Sequence, residues 1–409
     1  MKKNFLFPAL MMGLVSFAFV SCDDKTTEPN TEYVDIFEAN ADAIKEAATG
    51  TKLSTADIKP IIENYINNVV IPTYSELNDR VAAFKGKVDV LVAASTPTQA
   101  MVDDACEAWR SARKPWERSE AFLFGPADAG QYDPSMDSWP LDKNGIDQQL
   151  ASGNFDEIED QDDEAAQNLR GFHTAEYLLF DSGNNRQISD FTANPNIAKY
   201  LQIVATHLSS DAKELYTAWN EGIPSSSEDK LKKAYGAAMI NLVDGFYANY
   251  EDVIGDIFND EGGMPAISNE VGEAKIGDPV NLWNKGDKEN AVLAVESWYS
   301  WNSLDDYVNN IVSIQNCYLG RKTSYDNADG SDDAVATNSF SNMVKKVNPK
   351  LDELLRKQIT ATVEAIRDIP YPLRNNLDKT TQIKNAQEAC ACLTNGLQKI
   401  RVALTGAIE

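Results

Sequence analysis

The chain has 409 residues and a formal net charge of −26 at pH 7, from 63 acidic and 37 basic side chains. Such a surface repels phosphate backbones and anionic lipid headgroups, which argues against nucleic-acid binding and against electrostatic attachment to a membrane. The length is sufficient for two domains of ordinary size.

The N-terminus has the pattern of a lipoprotein signal peptide. Two lysines precede an apolar run from Phe5 to Val20, which is shorter than the roughly 20 residues that span a bilayer. The run ends in a lipobox-like stretch at Cys22, so we predict a signal peptide over residues 1–21 and lipid attachment to the Cys22 thiol. A general secretory signal with an incidental cysteine is the alternative. The largely polar residues 22–32 predict a flexible tether.

A lipid-modified Cys22 predicts the location of the protein. We expect a protein of the cell envelope that is anchored in the outer membrane. The sequence does not indicate whether it faces the periplasm or the cell surface. The membrane is then contacted through the N-terminal lipid alone, because the acidic chain has no attraction for anionic headgroups.

Apolar residues recur at helical spacing along almost the whole chain. One stripe runs from Ile61 to Val70, stops at Pro72 and resumes from Tyr74 to Val88, which predicts a kinked helix or two consecutive helices. Further stripes cover residues 197–219, 231–258, 291–314, 343–366 and 383–404. Alternating strand patterns with hairpin turns are absent from the sequence, so the predicted fold class is all-α, with antiparallel helices packed as bundles.

Two interruptions divide this helical pattern. Residues 125–163 are rich in Gly, Pro and Asp and lack periodicity, which predicts a long loop. A Gly- and Ser-rich turn then predicts the boundary between an N-terminal helical domain, residues 33–222, and a C-terminal helical domain, residues 227–409. Each half carries a Trp- and Glu-bearing segment, which suggests an ancient duplication.

The segment Gly171-Phe172-His173-Thr174-Ala175-Glu176 contains one of only two histidines in the chain. At a spacing of i and i+3, His173 and Glu176 lie on one face of a helix, where an imidazole and a carboxylate can bind one cation. A plain hydrogen-bonded pair is the alternative. An imidazole among carboxylates favours iron, zinc or copper, whereas carboxylate oxygens also suit calcium. The other histidine, His207, is predicted to be structural.

An earlier segment, residues 109–126, combines aromatic and charged side chains. Glu117 and Glu120 share one helical face, and Arg113 lies one turn before Glu117. The arginine could form a helix-stabilising salt bridge, neutralise the carboxylates when no metal is bound, or hold an anionic group of a ligand. The segment ends in Phe-Leu-Phe-Gly-Pro.

Together these segments resemble the imelysin-like family, whose signature is a Gly-x-His-x-x-Glu motif preceded by a Trp- and Glu-rich helix ending in Phe-x-Phe-Gly-Pro. The likeness continues in Trp139-Pro140-Leu141-Asp142, Glu296-Ser297-Trp298-Tyr299-Ser300, Asp305-Asp306-Tyr307 and Asn309-Asn310-Ile311. It therefore spans most of the chain. The family includes iron-regulated envelope proteins, although it was named for a peptidase activity.

The resemblance implies a metal site in a cleft between the two helical domains. Its expected ligands are His173, Glu176 and Glu120. Further residues are expected to shape the cleft or to face it from the second half of the chain: Trp109, Arg113, Glu117, Ser300, Asp305 and Asn309. For the last three, the alternative is that they are polar residues on a helix surface or form hydrogen bonds between the domains. Iron is the favoured ion, with zinc and calcium as alternatives.

The predicted function is metal binding for the acquisition of iron or another metal, with an outer-membrane protein or a transporter as partner. A metal-dependent peptidase is one alternative. Because the chain lacks His-Glu-x-x-His, zinc would need the same three ligands, with Glu117 as the base. The other alternative is a metal-free surface protein whose cleft, organised by Arg113, binds a small molecule.

Overall fold

Helices make up nearly all the regular secondary structure in the computed structural model, which describes residues 33–159, 164–322 and 335–409. Within these ranges the only strands are β1 (Phe180–Asp181) and β2 (Asn184–Asn185), which form a two-residue antiparallel ladder. The predicted all-α fold class is therefore confirmed. The predicted signal peptide, Cys22 and the tether lie outside the described residues.

The first half of the chain is built on three long helices. Its helices are α1 (Ala41–Glu46), α2 (Thr55–Tyr65), α3 (Ile71–Ala93), α4 (Gln99–Glu117), α5 (Pro126–Ala129), α6 (Tyr132–Asp137), α7 (Lys143–Ser152), α8 (Asp156–Glu159), α9 (Phe172–Leu179), α10 (Ile188–Ala193) and α11 (Asn196–Asn220). Short 3-10 turns cover Glu120–Phe122 and Glu164–Leu169. Helix α3 packs against both α4 and α11, and α9 lies across α4 and α11.

The interruption predicted at Pro72, as a kink or as two consecutive helices, is a π-helical turn in the structure. A π-helical turn, Ile66–Val70, connects α2 directly to α3, and Pro72 lies in the first turn of α3. Proline cannot donate a backbone hydrogen bond, and a wider turn before it accommodates that missing donor. The apolar stripe continues through the junction, with Val69, Val70 and Tyr74 all buried.

Four short helices, α5 to α8, occupy most of the stretch for which the sequence predicts a long loop. Two of them have local signals: Pro126 begins α5, the Asp142 carboxylate caps α7 by accepting from Gly145 N at 3.0 Å, and Gly153 ends α7 with a φ of 66°. Helices of 4 to 10 residues are too short to show an apolar stripe. Periodicity therefore missed them.

The second half of the chain surrounds one central helix. Its helices are α12 (Tyr235–Asn241), α13 (Tyr250–Ile257), α14 (Met264–Glu270), α15 (Asp278–Asn284), α16 (Lys288–Leu293), α17 (Ser303–Leu319), α18 (Phe340–Val347), α19 (Pro349–Arg367) and α20 (Thr380–Thr405). A π-helical turn covers Val271–Gly277, and 3-10 turns cover Asp229–Leu231 and Leu373–Asn375. Helix α17 is buried on nearly all sides because it packs against α14, α19 and, from the first half, α4.

Residues 34–409 form one compact unit by their internal contacts. A division of this unit into domains at residues 222–227 stays a prediction. The cysteines at 106, 317, 390 and 392 are buried free thiols. None of the described helices combines the length and the apolar character needed to cross a membrane.

Candidate metal centre

Gly171 allows the histidine helix to begin close to α6. Its φ is 90°, a backbone conformation that disfavours residues with a side chain. A Cβ at this position would also lie 2.5 Å from the carbonyl oxygen of Met136. The motif therefore needs glycine here so that α9, which carries His173, can approach the end of α6.

Alanine at Gly171 is expected to destabilise the fold by about 1–3 kcal/mol, because the left-handed backbone and the steric contact both penalise a Cβ. Urea unfolding of the purified variant measures this loss. Gly86→Ala is the control, since Gly86 lies in α3 and a Cβ added there would have no atom within 4 Å. A Gly171→Ala variant as stable as the wild type would contradict the steric argument.

His173 and Glu176 share one face of α9, as their spacing predicts. The imidazole is fully buried, and its Nδ1 lies 3.3 Å from Glu176 Oε2. The other oxygen of this carboxylate accepts from the backbone N and the hydroxyl of Ser300, at 2.8 and 2.7 Å. Glu176 is thus held from both sides, and the imidazole ring is held with Nε2 pointing away from Glu176.

Two further carboxylates lie in front of that nitrogen. His173 Nε2 is 3.2 Å from Asp137 Oδ1 and 3.4 Å from Glu296 Oε1. Asp137 is the last residue of α6, whereas Glu296 lies in the turn between α16 and α17. Ligand atoms of these three residues lie within 4.8 Å of one another. We call Asp137, His173 and Glu296 the histidine position.

A second group of carboxylates adjoins the first. Glu117, Glu120 and Asp137 also bring ligand atoms within 4.8 Å of one another, and Asp137 belongs to both groups. We call this second group the carboxylate position. Glu117 is the last residue of α4, and Glu120 begins the following 3-10 turn. The two glutamates therefore lie close together but not, as the sequence predicted, on one face of a single α-helix.

Arg113 is the main counter-ion of this cluster. Its fully buried guanidinium pairs with Glu117 and Asp137, and lies 3.2 Å from Glu296 and 3.3 Å from Asp306. Arginine suits this position because its planar, permanently charged group donates in several directions at once. Arg113 therefore makes the predicted salt bridge to Glu117 and also pairs with carboxylates from other segments, while its role toward a metal or a ligand stays a prediction.

Lys275 is the second buried cation. It lies in the π-helical turn Val271–Gly277, and its residue is only 9% exposed. The ammonium lies 2.9 Å from Glu296 Oε2, 3.5 Å from Glu120 Oε2 and 3.6 Å from Glu270 Oε1. One carboxylate, Glu296, therefore faces His173, Arg113 and Lys275 together.

A cavity of about 670 Å³ opens onto these groups. Glu120, Asp133, Asp137, Lys275 and Glu296 line it with polar atoms, and Trp139 contributes an aromatic wall. The Trp139 ring also packs against the His173 imidazole, with ring centroids 4.7 Å apart. The cavity therefore connects the carboxylates of both positions to a space large enough for a small molecule.

The buried charges shift the pKa values of the histidine position in opposite directions. Burial alone would lower the pKa of His173, but Asp137, Glu176 and Glu296 hold it well above its usual value. Burial alone would raise the pKa of Asp137, but Arg113 and His173 hold it below its usual value. Glu296 shows the same pattern, with Lys275 as the largest opposing charge. The position therefore contains ionised carboxylates beside an imidazolium.

Other carboxyls of the cluster are shifted towards the neutral form. Burial, reinforced by neighbouring carboxylates, raises the pKa of Asp133 to about 7. Burial also raises the pKa of Asp306 to about 6, although Arg113 opposes the shift. Burial is also the main reason that the pKa values of Glu117 and Glu120 lie well above the usual value. The cluster holds more carboxyls than its cations can neutralise.

The structure brings most of the predicted site residues together. Arg113, Glu117, Glu120, His173 and Glu176 all belong to the buried cluster. Glu120 belongs to the carboxylate position, whereas His173 belongs to the histidine position, and Glu176 contacts the Nδ1 side of the imidazole. The identity of the metal ligands stays a prediction.

The remaining predicted residues lie around this cluster. Trp109 packs behind α9 and donates from its indole to the carbonyl of Phe172 at 3.0 Å. Asn309 accepts from Arg118 Nε at 2.7 Å. Asp305 is exposed, and the neighbouring Asp306 is the residue that reaches Arg113.

Sequence reasoning missed four charged residues of the cluster: Asp137, Lys275, Glu296 and Asp306. Glu296 and Asp306 lie within segments that carry the family resemblance, and Asp137 lies two residues before another such segment. Their position in or next to these segments could have suggested Asp137, Glu296 and Asp306 as site residues. Lys275 lies outside the resembling segments, and its sequence neighbours offer no comparable signal.

Comparison with known proteins extends these observations. The imelysin family model matches residues 70–400. Iron-regulated protein A of Synechococcus elongatus is 28% identical over 345 residues, which cover 83% of this chain and 84% of that protein. A crystal structure described as an iron-regulated protein A precursor from Parabacteroides distasonis is 42% identical, with a TM-score of 0.81 over 88% of this chain and 98% of that chain. An imelysin-like protein from Psychrobacter arcticum shares the fold at 12% identity, with a TM-score of 0.61 over 87% of this chain and 98% of that chain.

The matched range includes every residue of the histidine and carboxylate positions. It also includes both buried cations and the Gly-x-His-x-x-Glu motif. The family predicted from the motifs is therefore confirmed: the chain belongs to the imelysin family.

Proposed function

We propose that the protein binds a metal cation, with iron favoured, at the histidine position as a step in metal acquisition. The observation that carries this proposal is the buried Nε2 of His173. It lies 3.2 Å from Asp137 Oδ1 and 3.4 Å from Glu296 Oε1, so an imidazole nitrogen and two carboxylate oxygens face one another at the distances of a ligand cluster. In the metal-free protein the imidazolium proton faces these carboxylates, and a cation that displaces the proton would be bound by all three groups.

The surroundings of His173 support the same proposal. A histidine that binds a metal through one nitrogen usually donates a hydrogen bond from the other nitrogen to a carboxylate. Glu176 provides that carboxylate, and Ser300 fixes it in place. In this proposal Glu176 orients the ligand His173, and Glu120 lies at the neighbouring carboxylate position.

The donor set supports a transition metal. One imidazole nitrogen and two carboxylate oxygens suit iron and zinc, whereas calcium prefers an all-oxygen set. Two relatives carry the name iron-regulated protein A, which favours iron between the two. In this proposal the chain binds the cation and orients its ligands. Arg113 and Lys275 offset the charge of the carboxylates when no cation is bound.

Metal titration of the purified protein tests the proposal. The protein is prepared without chelators or a histidine tag, and Fe²⁺ under anaerobic conditions, Zn²⁺ and Ca²⁺ are added separately while binding is followed by calorimetry. We expect one equivalent of Fe²⁺ or Zn²⁺ and weaker binding of Ca²⁺. Protein that ignores all three ions contradicts the proposal and favours the metal-free binding protein. Zn²⁺-dependent cleavage of a peptide library by the loaded protein favours the peptidase.

Metal affinity is expected to rise with pH, by up to tenfold per pH unit. The pKa of His173 is raised, so the metal-free imidazole carries a proton that the cation must displace. The gain should therefore persist until the pH exceeds that raised pKa. Calorimetry in buffers of different ionisation enthalpy measures the protons released. Affinity that is constant from pH 5.5 to 8 contradicts this argument.

The location is part of the same proposal. We expect the protein to be held in the outer membrane by a lipid on Cys22, which lies outside the described residues. Cys22→Ser is expected to move the protein from the membrane fraction to the soluble fraction, because no described helix can replace the lipid as an anchor. Cell fractionation with labelled fatty acid measures both changes. A variant that stays membrane-bound contradicts lipid anchoring.

A further inference from the structure

The Lys275 ammonium lies between the two groups of carboxylates. Buried lysines are rare unless they are paired, and this one faces three carboxylates, Glu120, Glu270 and Glu296, within 3.6 Å. Its side chain is only 8% exposed, although it lines a cavity that opens to solvent. The side chain thus points inward to the carboxylates.

The two groups of carboxylates are joined by shared residues. Asp137 belongs to both the histidine position and the carboxylate position. Lys275 contacts Glu296 from the first group and Glu120 from the second. Neighbouring cation positions that share carboxylates are the usual design of centres that hold two metal ions. Here the protein supplies positive charge itself: Arg113 pairs with Glu117 and Asp137, and Lys275 faces Glu120 and Glu296.

The backbone around Lys275 provides an independent observation. Lys275 lies in the π-helical turn Val271–Gly277, between α14 and α15. Pro279 lies in the first turn of α15, so this π-helical turn precedes a proline, as the turn before Pro72 does. The Tyr307 hydroxyl donates to the carbonyl oxygen of Lys275 at 3.0 Å, which ties this turn to the central helix α17. The turn therefore fixes the lysine in front of Glu296.

We infer that Lys275 acts as a built-in cation that fills the space between the carboxylate and histidine positions, and so limits the centre to one metal ion. This inference rests on the proposed metal binding at the histidine position. It assigns Lys275 a role in metal stoichiometry. The ammonium keeps a second divalent ion away because two cations at hydrogen-bonding distance from the same carboxylates repel each other.

Lys275→Met tests this inference, because methionine keeps most of the side-chain length and removes the charge. The full-length wild-type protein and the variant are titrated with Zn²⁺ alone, and bound metal is counted by mass spectrometry after gel filtration. We expect one equivalent of Zn²⁺ in the wild type and two in Lys275→Met. The double variant Lys275→Met with Glu120→Gln is expected to return to one equivalent, because the carboxylate position then loses a ligand.

Lys285→Met is the matched control. Lys285 lines the same cavity but is exposed, so this variant removes one positive charge without vacating the carboxylates. We expect it to bind one equivalent, as the wild type does. Lys275→Arg keeps the charge and is also expected to bind one equivalent.

The outcomes separate the inference from the proposed function. A wild type that binds neither Zn²⁺ nor, in the same assay under anaerobic conditions, Fe²⁺ contradicts the proposed function. One equivalent in both the wild type and Lys275→Met, with unchanged affinity, overturns the inference and leaves the proposed function intact. Two equivalents in the wild type also overturn the inference. If Lys275→Met does not fold, as judged by circular dichroism, Lys275→Gln provides the same comparison, because its amide keeps a hydrogen-bond donor near Glu296.

Discussion

Alanine in place of His173 is expected to abolish stoichiometric metal binding, with affinity falling roughly 100-fold or more. The imidazole is the one nitrogen donor at the histidine position, and it lies between two carboxylates that repel each other when no cation separates them. Loss of a residue that only orients a metal ligand already costs about 10–100-fold in affinity. Loss of the ligand itself is expected to cost at least as much.

The measurement is calorimetric titration with Fe²⁺ and Zn²⁺, together with the metal content of the purified variants. Glu176→Gln is a milder variant. It is expected to weaken metal binding by about 10–100-fold, because the imidazole loses its carboxylate partner but keeps its position. His207→Gln is the matched control, since it removes the other histidine of the chain, in α11, and should leave the stoichiometry unchanged. Full metal binding by His173→Ala would place the site elsewhere.

Methionine in place of Arg113 is expected to lower the free energy of unfolding by about 3–5 kcal/mol. The guanidinium is fully buried and is shared among Glu117, Asp137, Glu296 and Asp306. Removing one partner of a buried ion pair leaves the other charge uncompensated, which is far more costly than losing an exposed pair. Arg113 is also the link between α4 and the segment that begins at Glu296, so its loss affects both halves of the cluster.

Urea unfolding at neutral pH measures this effect. Arg80→Met is the control, because Arg80 is 45% exposed in its pair with Glu76 and should cost at most about 1 kcal/mol. The pH dependence adds a further check. Arg113 holds the pKa of Asp137 below its usual value, so this stabilisation is present above the unfolded pKa of about 4 and is lost as the pH falls towards the folded pKa. The difference between the wild type and Arg113→Met should therefore shrink in acid. A loss below 1 kcal/mol at neutral pH would contradict the central role of Arg113.

Apolar periodicity predicted the long helices of the fold well. The stripes at residues 197–219 and 383–404 correspond to α11 and α20 almost from end to end. The stripe at 291–314 instead crosses a break between α16 and α17, where Ser297 and Trp301 adopt positive φ values. Nothing in the apolar pattern marks that break, because buried residues of a tight turn and of a helix are equally apolar.

The site was only partly accessible from sequence for a related reason. His173 and Glu176 are one turn apart, so helical spacing alone places them together. Asp137 and Glu296 reach His173 through tertiary packing. Asp137 does so because α6 approaches α9 closely at Gly171, and Glu296 does so because the turn before α17 directs it to the cluster. Lys275 depends on a π-helical turn before Pro279, and a proline alone does not indicate which side chain such a turn directs into the cluster. Spacing in the sequence therefore predicts which residues are neighbours on one helix. Tertiary packing determines which other side chains join them in a candidate metal centre.

The shared ion pairs of Arg113 also affect how the protein acquires its native state. Arg113 contacts Glu296 and Asp306 across 183 and 193 residues of sequence. Contacts between such distant parts of a chain form slowly, because a long loop has to close before they gain any stability. The cluster is therefore absent from a growing or partly folded chain and assembles only when α4 and α17 have packed together. A cation held by both Asp137 and Glu296 would therefore report that the two halves of the chain have packed together.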